Sequence, residues 1–361
     1  MSVTPLDDLL SVETLSGLIR TFVEQAENRS CSALFSRSAR PLLPLGDSAT
    51  WDEIEFSRHL APISGPDSPH TRAKRLGRRK RTSAMAMVKV YKDLPAPHLF
   101  LSRAPGSDTA DAEAVLSAEL EDMANLIANT KEFLACGALL GKIDVTPQTV
   151  PGSDVAFTVE FGNFMGQAQD SWADPTTKIR SAEMIRLKRL FKDQAGLRPA
   201  IGITEPGVEG YLVQNNEIRE FAREPLGTVI LRNLNLSGVN PQWEILAGLN
   251  WQFTDGTYKP ENGPVTRYFP ADHVLVLPGQ ARLQQVLGWA EGKVHVPAGP
   301  VISEPGQATS LITELRGSYA YAKVRDDPVG IRVYAGWYGL PVVLNPNAVM
   351  VFRVVPQAPA P

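Results

Sequence analysis

From Asp108 to Gly141 the chain carries one uninterrupted helical pattern, and a helix of that length restricts everything around it. Leu116, Leu120, Met123, Ile127, Thr130 and Leu134 recur at alternating spacings of four and three, which draws a single apolar stripe along a helix. Glu119, Asp122 and Lys131 fall off the stripe. Asp108 is placed as the N-cap, Asp111 and Glu113 sit in the first turn where they complement the helix dipole, and Gly141 is placed as the C-terminal cap. Such a helix is roughly 50 Å long, more than most compact cores span. It is a strut, and it needs a sheet or a neighbour along its length. Leu116, Leu120, Met123, Ile127 and Leu134 are therefore the expected packing residues, with strands from residues 154–161 and 331–355 as their bed.

Two stretches ahead of the strut have little means of folding alone. Residues 1–48 form an arm in which Leu15, Leu18, Ile19 and Phe22 share one helical face, before Pro41 and Pro44 dissolve the pattern. Nothing in the arm closes a core. Residues 49–105 begin as an alternating strand (Trp51, Ile54, Phe56), then enter HLAPISGPDSPHTRAKRLGRRKRT. Arg72, Lys74, Arg75, Arg78, Arg79, Lys80 and Arg81 crowd into this stretch, and no acid occurs from Arg72 to Lys92. A strand over Met85–Tyr91 follows. This reads as a long hairpin with a cationic tip, whose charges repel and bury almost nothing. Three uses of the tip stay open: a solvated loop, a nucleic-acid contact through phosphate neutralisation, or an arm laid on an acidic patch of a neighbouring subunit. Aromatic residues that could stack on bases are missing between Phe56 and Tyr91.

After the strut the pattern is mixed. DVAFTVEF at 154–161 alternates as a strand, residues 174–195 form a basic amphipathic helix behind Asp174 and Pro175, and Asn216–Arg223 is helical. Strands are expected at Ala200–Thr204 and Val274–Leu277, and again in YAYAKV, GIRVYAGWY and AVMVFRVV near the end. The chain has 28 Gly and 29 Pro, which favours turns over a helical bundle. Lys and Arg number 36 against 39 Asp and Glu, a formal net charge of -3, so general nucleic-acid binding by the whole chain is not expected. The opening MSVTPLDDLL carries two acids where an export signal needs a basic region, and no apolar run reaches membrane-spanning length.

Catalytic and metal motifs are absent. GALLGK at Gly137–Lys142 has three residues between its glycines where a phosphate-binding loop needs four, and Ile143 stands where a Ser or Thr is required; it reads as a helix end. His59, His70, His98, His273 and His295 show no ligand spacing. Cys31 and Cys136 belong to no CxxC pair and read as buried small hydrophobes in a reducing compartment. The adjacent acids Asp52/Glu53 point apart on a strand and read as a solvated face. No catalytic, cofactor or metal residues are assigned, and a non-enzymatic role is expected.

The order of these elements resembles the Hong Kong 97-type capsid fold, and more narrowly the lambda-type major head proteins, the capsid protein E family. RHLAPISGP at the hairpin start, GALLGKIDV closing the strut, VEFG, SWADPTTKI, RYFPADHVLVLPG and DDPVGIRVYAGWYGLPVVLNPNAVMVFRVV are similar to that family in order, from about residue 55 to 354. The resemblance implies an α+β fold with an N-terminal arm (1–48), an extended loop (49–105), a peripheral domain with the spine helix (106–168), an axial domain (169–316) and C-terminal strands returning to the peripheral domain (317–361). It implies a major capsid protein that assembles in the host cytoplasm into pentamers and hexamers of an icosahedral virion shell around double-stranded DNA. Scaffolding, portal and decoration proteins are the implied partners, with no cofactor and no membrane. An encapsulin-like compartment shares the fold, and a nucleic-acid-binding module is the remaining alternative. The stripe makes one prediction independent of any family: Ile127→Asp places an unpaired carboxylate in the packing face, so the variant should be recovered only as insoluble protein, as judged by fractionation of expressing cells.

Overall fold

The computed structural model describes residues 10–26, 30–44, 46–54, 77–95, 108–147, 149–150, 153–223, 248–259, 263–297, 312–326 and 329–356. The strut is one helix, Asp108–Leu140, here called the spine helix. It stops where the sequence places the stop. Gly141 adopts φ +102°, a conformation that suits glycine, and Asn163 donates from Nδ2 to the carbonyls of Ala138 and Leu139 at 3.0 and 2.8 Å. Leu116, Leu120, Met123, Ile127 and Leu134 are all buried. Thr130 is half-buried and bonds back to the Leu126 carbonyl at 3.0 Å. The stripe is not narrow throughout: from Lys131 to Leu139 nearly every side chain is buried, because Ala135, Cys136 and Ala138 pack as closely as the leucines.

The bed of the helix is a six-stranded sheet built around one long ribbon. β15 (Ile312–Asp326) and β16 (Val329–Val343) pair antiparallel, from Gly317 opposite Tyr338 to Asp326 opposite Val329. β4 (Ala86–Pro95) lies along the first part of β16 and β13 (Leu287–Glu291) along its last part. β1 (Arg40–Leu42) adds to β13 in parallel, and β14 (Lys293–Pro297) pairs with the start of β15. Strand alternation turns Ala320, Ala322, Ile331, Val333, Ala335 and Trp337 to one buried face. The spine helix packs against β16 and β4 there. Lys92, opposite Val333 in register, reaches Glu119 and Asp122 on the helix, the latter at 2.9 Å. Trp337 and Trp289 stack at 5.6 Å and receive the Lys131 ammonium at 5.2 and 5.6 Å.

The arm departs from expectation. Its helices Val12–Gln25 and Cys31–Ser38 pack on this chain's own spine helix, the first on β15 as well. Leu15, Ile19 and Phe35 are buried, and Phe35 meets Trp289 at 5.7 Å. The first helix also satisfies the free edge of β15. The Ser16 hydroxyl donates to the Ala320 carbonyl and accepts its N–H, both at 3.0 Å, while Arg20 donates to the carbonyls of Ser318 and Arg316 at 3.1 and 3.2 Å. An open strand edge is a liability, and these two side chains close it.

A second sheet runs in the order β7 (Phe164–Gln167), β17 (Met350–Arg353), β12 (His273–Pro278), β8 (Pro199–Thr204), β9 (Asn250–Phe253). Val274–Leu277 are fully buried, as a central strand covered on both faces requires. The helix expected from residue 174 begins five residues later. Asp174 instead holds a turn, accepting from Thr176 N–H at 2.8 Å, and the Glu217 carboxylate caps Arg180 and Ser181 N–H at 2.9 and 3.0 Å. A wide turn, Ile179–Glu183, then leads into the helix Met184–Ala195. Asn216–Arg223 is helical as expected, behind an unanticipated helix Pro206–Gln214. Before β12, Asp272 takes φ +58°, pinned because its N–H donates to Glu205 at 3.2 Å and its carboxylate accepts from Tyr211 at 2.9 Å. Small ribbons pair β5 (Lys142–Val145) with β6 (Phe157–Glu160) and β10 (Thr257–Tyr258) with β11 (Thr266–Arg267).

The sheets cross the expected boundary at 316/317. β13 and β14 belong to the large sheet with β15 and β16, whereas β17 belongs to the second sheet. Replacing both Ser16 and Arg20 by alanine should expose the β15 edge at a cost of roughly 1–2 kcal/mol. Hydrogen exchange at the Ala320 amide should then rise well above exchange in β16.

Candidate assembly surfaces

The cationic segment forms a strand where a tip was expected. β2 (Ser48–Ile54) pairs antiparallel with β3 (Arg78–Ala84), with Asp52 opposite Lys80 and Glu53 opposite Arg79. The hairpin's return strand is thus β3, and the expected Met85–Tyr91 strand is the separate β4 of the large sheet. Arg72, Lys74 and Arg75 lie outside the described residues. The adjacent acids do point apart, and each meets a cation diagonally across the ribbon. Arg78 lies 3.7 Å from Asp52, and Arg81 lies 2.6 Å from Glu53 while donating to the Glu160 carbonyl at 2.7 Å. The Arg81–Glu53 pair is largely shielded and sits near Trp51, which packs on Phe161 at 6.1 Å. Arg78 and its partner are well exposed, and surface pairs of that kind contribute little. Arg79 and Lys80 remain exposed. The sequence treated the seven cations as one group; the structure separates Arg81, used within the chain, from the two that face outward.

A second surface lies on the side of the large sheet opposite the spine helix. Alternation places Tyr91 and Asp93 of β4, Arg332 and Tyr334 of β16, and Tyr319, Tyr321 and Lys323 of β15 on it. Tyr321 and Tyr334 stack at 4.7 Å with planes 10° apart, and Tyr91 continues the row at 6.0 Å from Tyr334. The Arg332 guanidinium sits 4.5 Å over the Tyr91 ring, and Lys323 sits 5.6 Å from the Tyr334 centroid. Gly336 makes room for the innermost tyrosine: a Cβ there would meet the Val88 carbonyl and the Tyr319 hydroxyl. Burial pushes the Tyr319 hydroxyl up to about 12, whereas Tyr91 is 58% exposed. The row therefore grades from core to surface.

Asp93 organises the charge on this face. It accepts from Arg332 at 2.5 and 2.7 Å and pairs with Arg325 at 3.0 Å. The sequence reading assigned none of these residues, because their grouping depends on the register of three strands.

Comparison with known proteins places this geometry. The family described as phage major capsid protein E matches residues 46–354. The chain belongs to that family. The capsid protein also has the Hong Kong 97-type fold. A prophage capsid candidate from E. coli CFT073 is 13% identical, with 94% of this chain and 99% of that one covered and a TM-score of 0.56. Gordonia phage Cozz gives 13% identity, 90% and 87% coverage and a TM-score of 0.48. The holo-SrpI encapsulin complex of Synechococcus elongatus PCC 7942 gives 14% identity, 94% and 93% coverage and a TM-score of 0.45. Likenesses at such identities speak to fold; the role comes from the family. No curated protein matches by sequence. A major capsid protein acts as one of many copies in a virion shell.

The hydrogen bonds from Arg332, with the Arg325 charge, hold the Asp93 carboxyl below its ordinary value of 3.8. A carboxyl lowered by folding stabilises the fold above its unfolded value, and that contribution disappears as pH falls through the folded one. Asp93→Asn should therefore lower the melting temperature at neutral pH and flatten its further fall below the ordinary aspartate range, as seen in melts across an acid series.

Proposed function

We propose that this chain is the shell subunit of a phage head, in which copies join as pentamers and hexamers and close an icosahedral particle around double-stranded DNA. The observation that carries the reading, beside family membership, is the β2–β3 ribbon. It is a two-stranded sheet whose β3 is exposed along most of its length and presents Arg79 and Lys80 outward. An isolated two-stranded ribbon is marginal by itself, and one that gains a surface from a neighbour is not. The cations of this segment other than Arg81, which stays paired with Glu53, would lie on an acidic patch of the adjacent subunit. Each such contact is weak, and closed symmetry multiplies it.

Within this reading the spine helix and the large sheet form the peripheral region, with β13 and β14 included. The second sheet with its helices, β17 included, forms the axial region. Within residues 49–105 the β2–β3 ribbon acts as the extended loop, while β4 goes with the large sheet. Residues 1–48 keep the place of the N-terminal arm, although residues 12–38 are packed on their own subunit. Assembly takes place in the host cytoplasm with a scaffolding protein, a portal and a decoration protein as partners. DNA inside the shell is held without sequence recognition, which a net charge of -3 accommodates.

Replacing Arg79 and Lys80 by glutamine removes both outward charges, leaves the Arg78 and Arg81 pairs in place and sets no like charges across from Glu53 and Asp52, so the variant should keep the wild-type circular dichroism and melting curve. Negative-stain microscopy should show loose subunits or capsomers where the wild type gives closed shells. Closed shells at wild-type yield would overturn the role of this ribbon. Nuclease-protected DNA in particles from phage-producing cells supports the head reading, and an enclosed enzyme in its place would assign the particle to the encapsulin-like alternative.

A further inference from the structure

The chain's two cysteines are 105 positions apart in sequence and meet in the fold, around a buried acid. Cys31 begins the helix Cys31–Ser38, and Glu132 and Cys136 sit one turn apart on the spine helix. All three are buried. Both sulfurs and a carboxylate oxygen of Glu132 lie within 4.8 Å of one another, and Cys136 Sγ is 3.6 Å from Glu132 Oε1. Glu132 is fixed in place: its two oxygens accept the backbone N–H groups of Cys31 and Ser32 at 2.7 and 2.8 Å. That caps the short helix, for which Ser30 supplies no side-chain cap. A carboxylate offers about four acceptor positions; the two N–H groups take two, and the one facing the Cys136 thiol becomes free for a cation when that thiol loses its proton. Ser32, whose N–H Glu132 holds, also carries a buried hydroxyl with no hydrogen-bond partner among the described residues.

We infer that Cys31, Cys136 and Glu132 form a three-ligand binding site for a thiophilic divalent cation of the zinc class, with the fourth position of the tetrahedron left to water. Tetrahedral zinc places neighbouring sulfur and oxygen ligands roughly 3.5–3.8 Å apart, a spacing that the Cys136–Glu132 pair already has. Two sulfurs and one oxygen select zinc over calcium or magnesium, which take oxygen donors. The backbone N–H groups that hold Glu132 serve as its outer support. On binding, each thiol gives its proton to solvent and an electron pair to the cation, and Glu132 coordinates as the carboxylate. Two protons leave per cation, so apparent affinity should rise about a hundredfold per pH unit while both thiols are protonated. The cation would tie the arm's second helix to the spine helix. This site stands independently of the assembly reading.

The full-length protein, purified without chelator from zinc-supplemented cells, should contain about one zinc per chain by elemental analysis. Thiol titration should find both cysteines slow to react until a strong chelator is added. Cobalt exchanged for zinc should give an intense thiolate-to-metal absorption, and Cys136→Ala and Cys31→Ala should each abolish it. Wild-type protein that is metal-free with two chelator-independent thiols, or that carries a Cys31–Cys136 disulfide, would overturn the site. In the first case Glu132 would act only as a helix cap. The measurements on the unaltered chain decide the matter even if a variant fails to fold.

Discussion

The spine helix against the inner face of the β4–β16–β15 sheet is the contact on which the other parts depend. Five apolar residues of its stripe and the buried side chains of β15 and β16 leave water together, and neither surface has another described element of comparable length to cover it. Polar contacts then fix the register of helix on sheet. Lys92 bridges to two acids near the middle of the helix, Lys131 sits over two tryptophans, and Asn163 closes the end. A long strut locked in this way gives the subunit a stiff axis. Surfaces at its two sides then keep a fixed geometry, as a shell built from repeated contacts requires.

Local regularity made much of this legible. The spine helix, its glycine stop, β8, β12, the helix Asn216–Arg223 and the closing ribbon all follow from spacing, turn residues and runs of branched side chains. The misreadings share a cause: a partner far away in sequence. Ser16 and Arg20 look like ordinary polar positions on a surface helix until β15, about 300 residues later, is laid beside them. Glu217 decides where the helix after Asp174 begins, and it lies 37 residues beyond the N–H it caps. Glu132 falls in an apolar neighbourhood that periodicity fills with packing residues, and only the fold brings the start of another helix to it.

Charge in the hairpin shows the same limit from another side. Counted along the chain, Arg78 to Arg81 is a run of like charge that should repel itself. Folded as a strand, alternate cations leave on opposite faces, and Asp52 and Glu53 stand ready across the ribbon, one for each face. What the acids neutralise is only part of the run. The remainder, Arg79 and Lys80, is therefore concentrated on an exposed strand whose position is set by its neighbours.

The covering of β15 by Ser16 and Arg20 also carries an order of events. The helix that bears them leaves the ribosome about 300 residues before its docking strand. Through that interval the helix has the spine helix to settle on, but not the strand it covers. Once β15 emerges, its cover is already waiting, so the longest ribbon in the molecule is never available to a passing chain for more than the time of one intramolecular search. A polypeptide made at high concentration, beside hundreds of identical sisters, thereby reserves its stickiest backbone for itself.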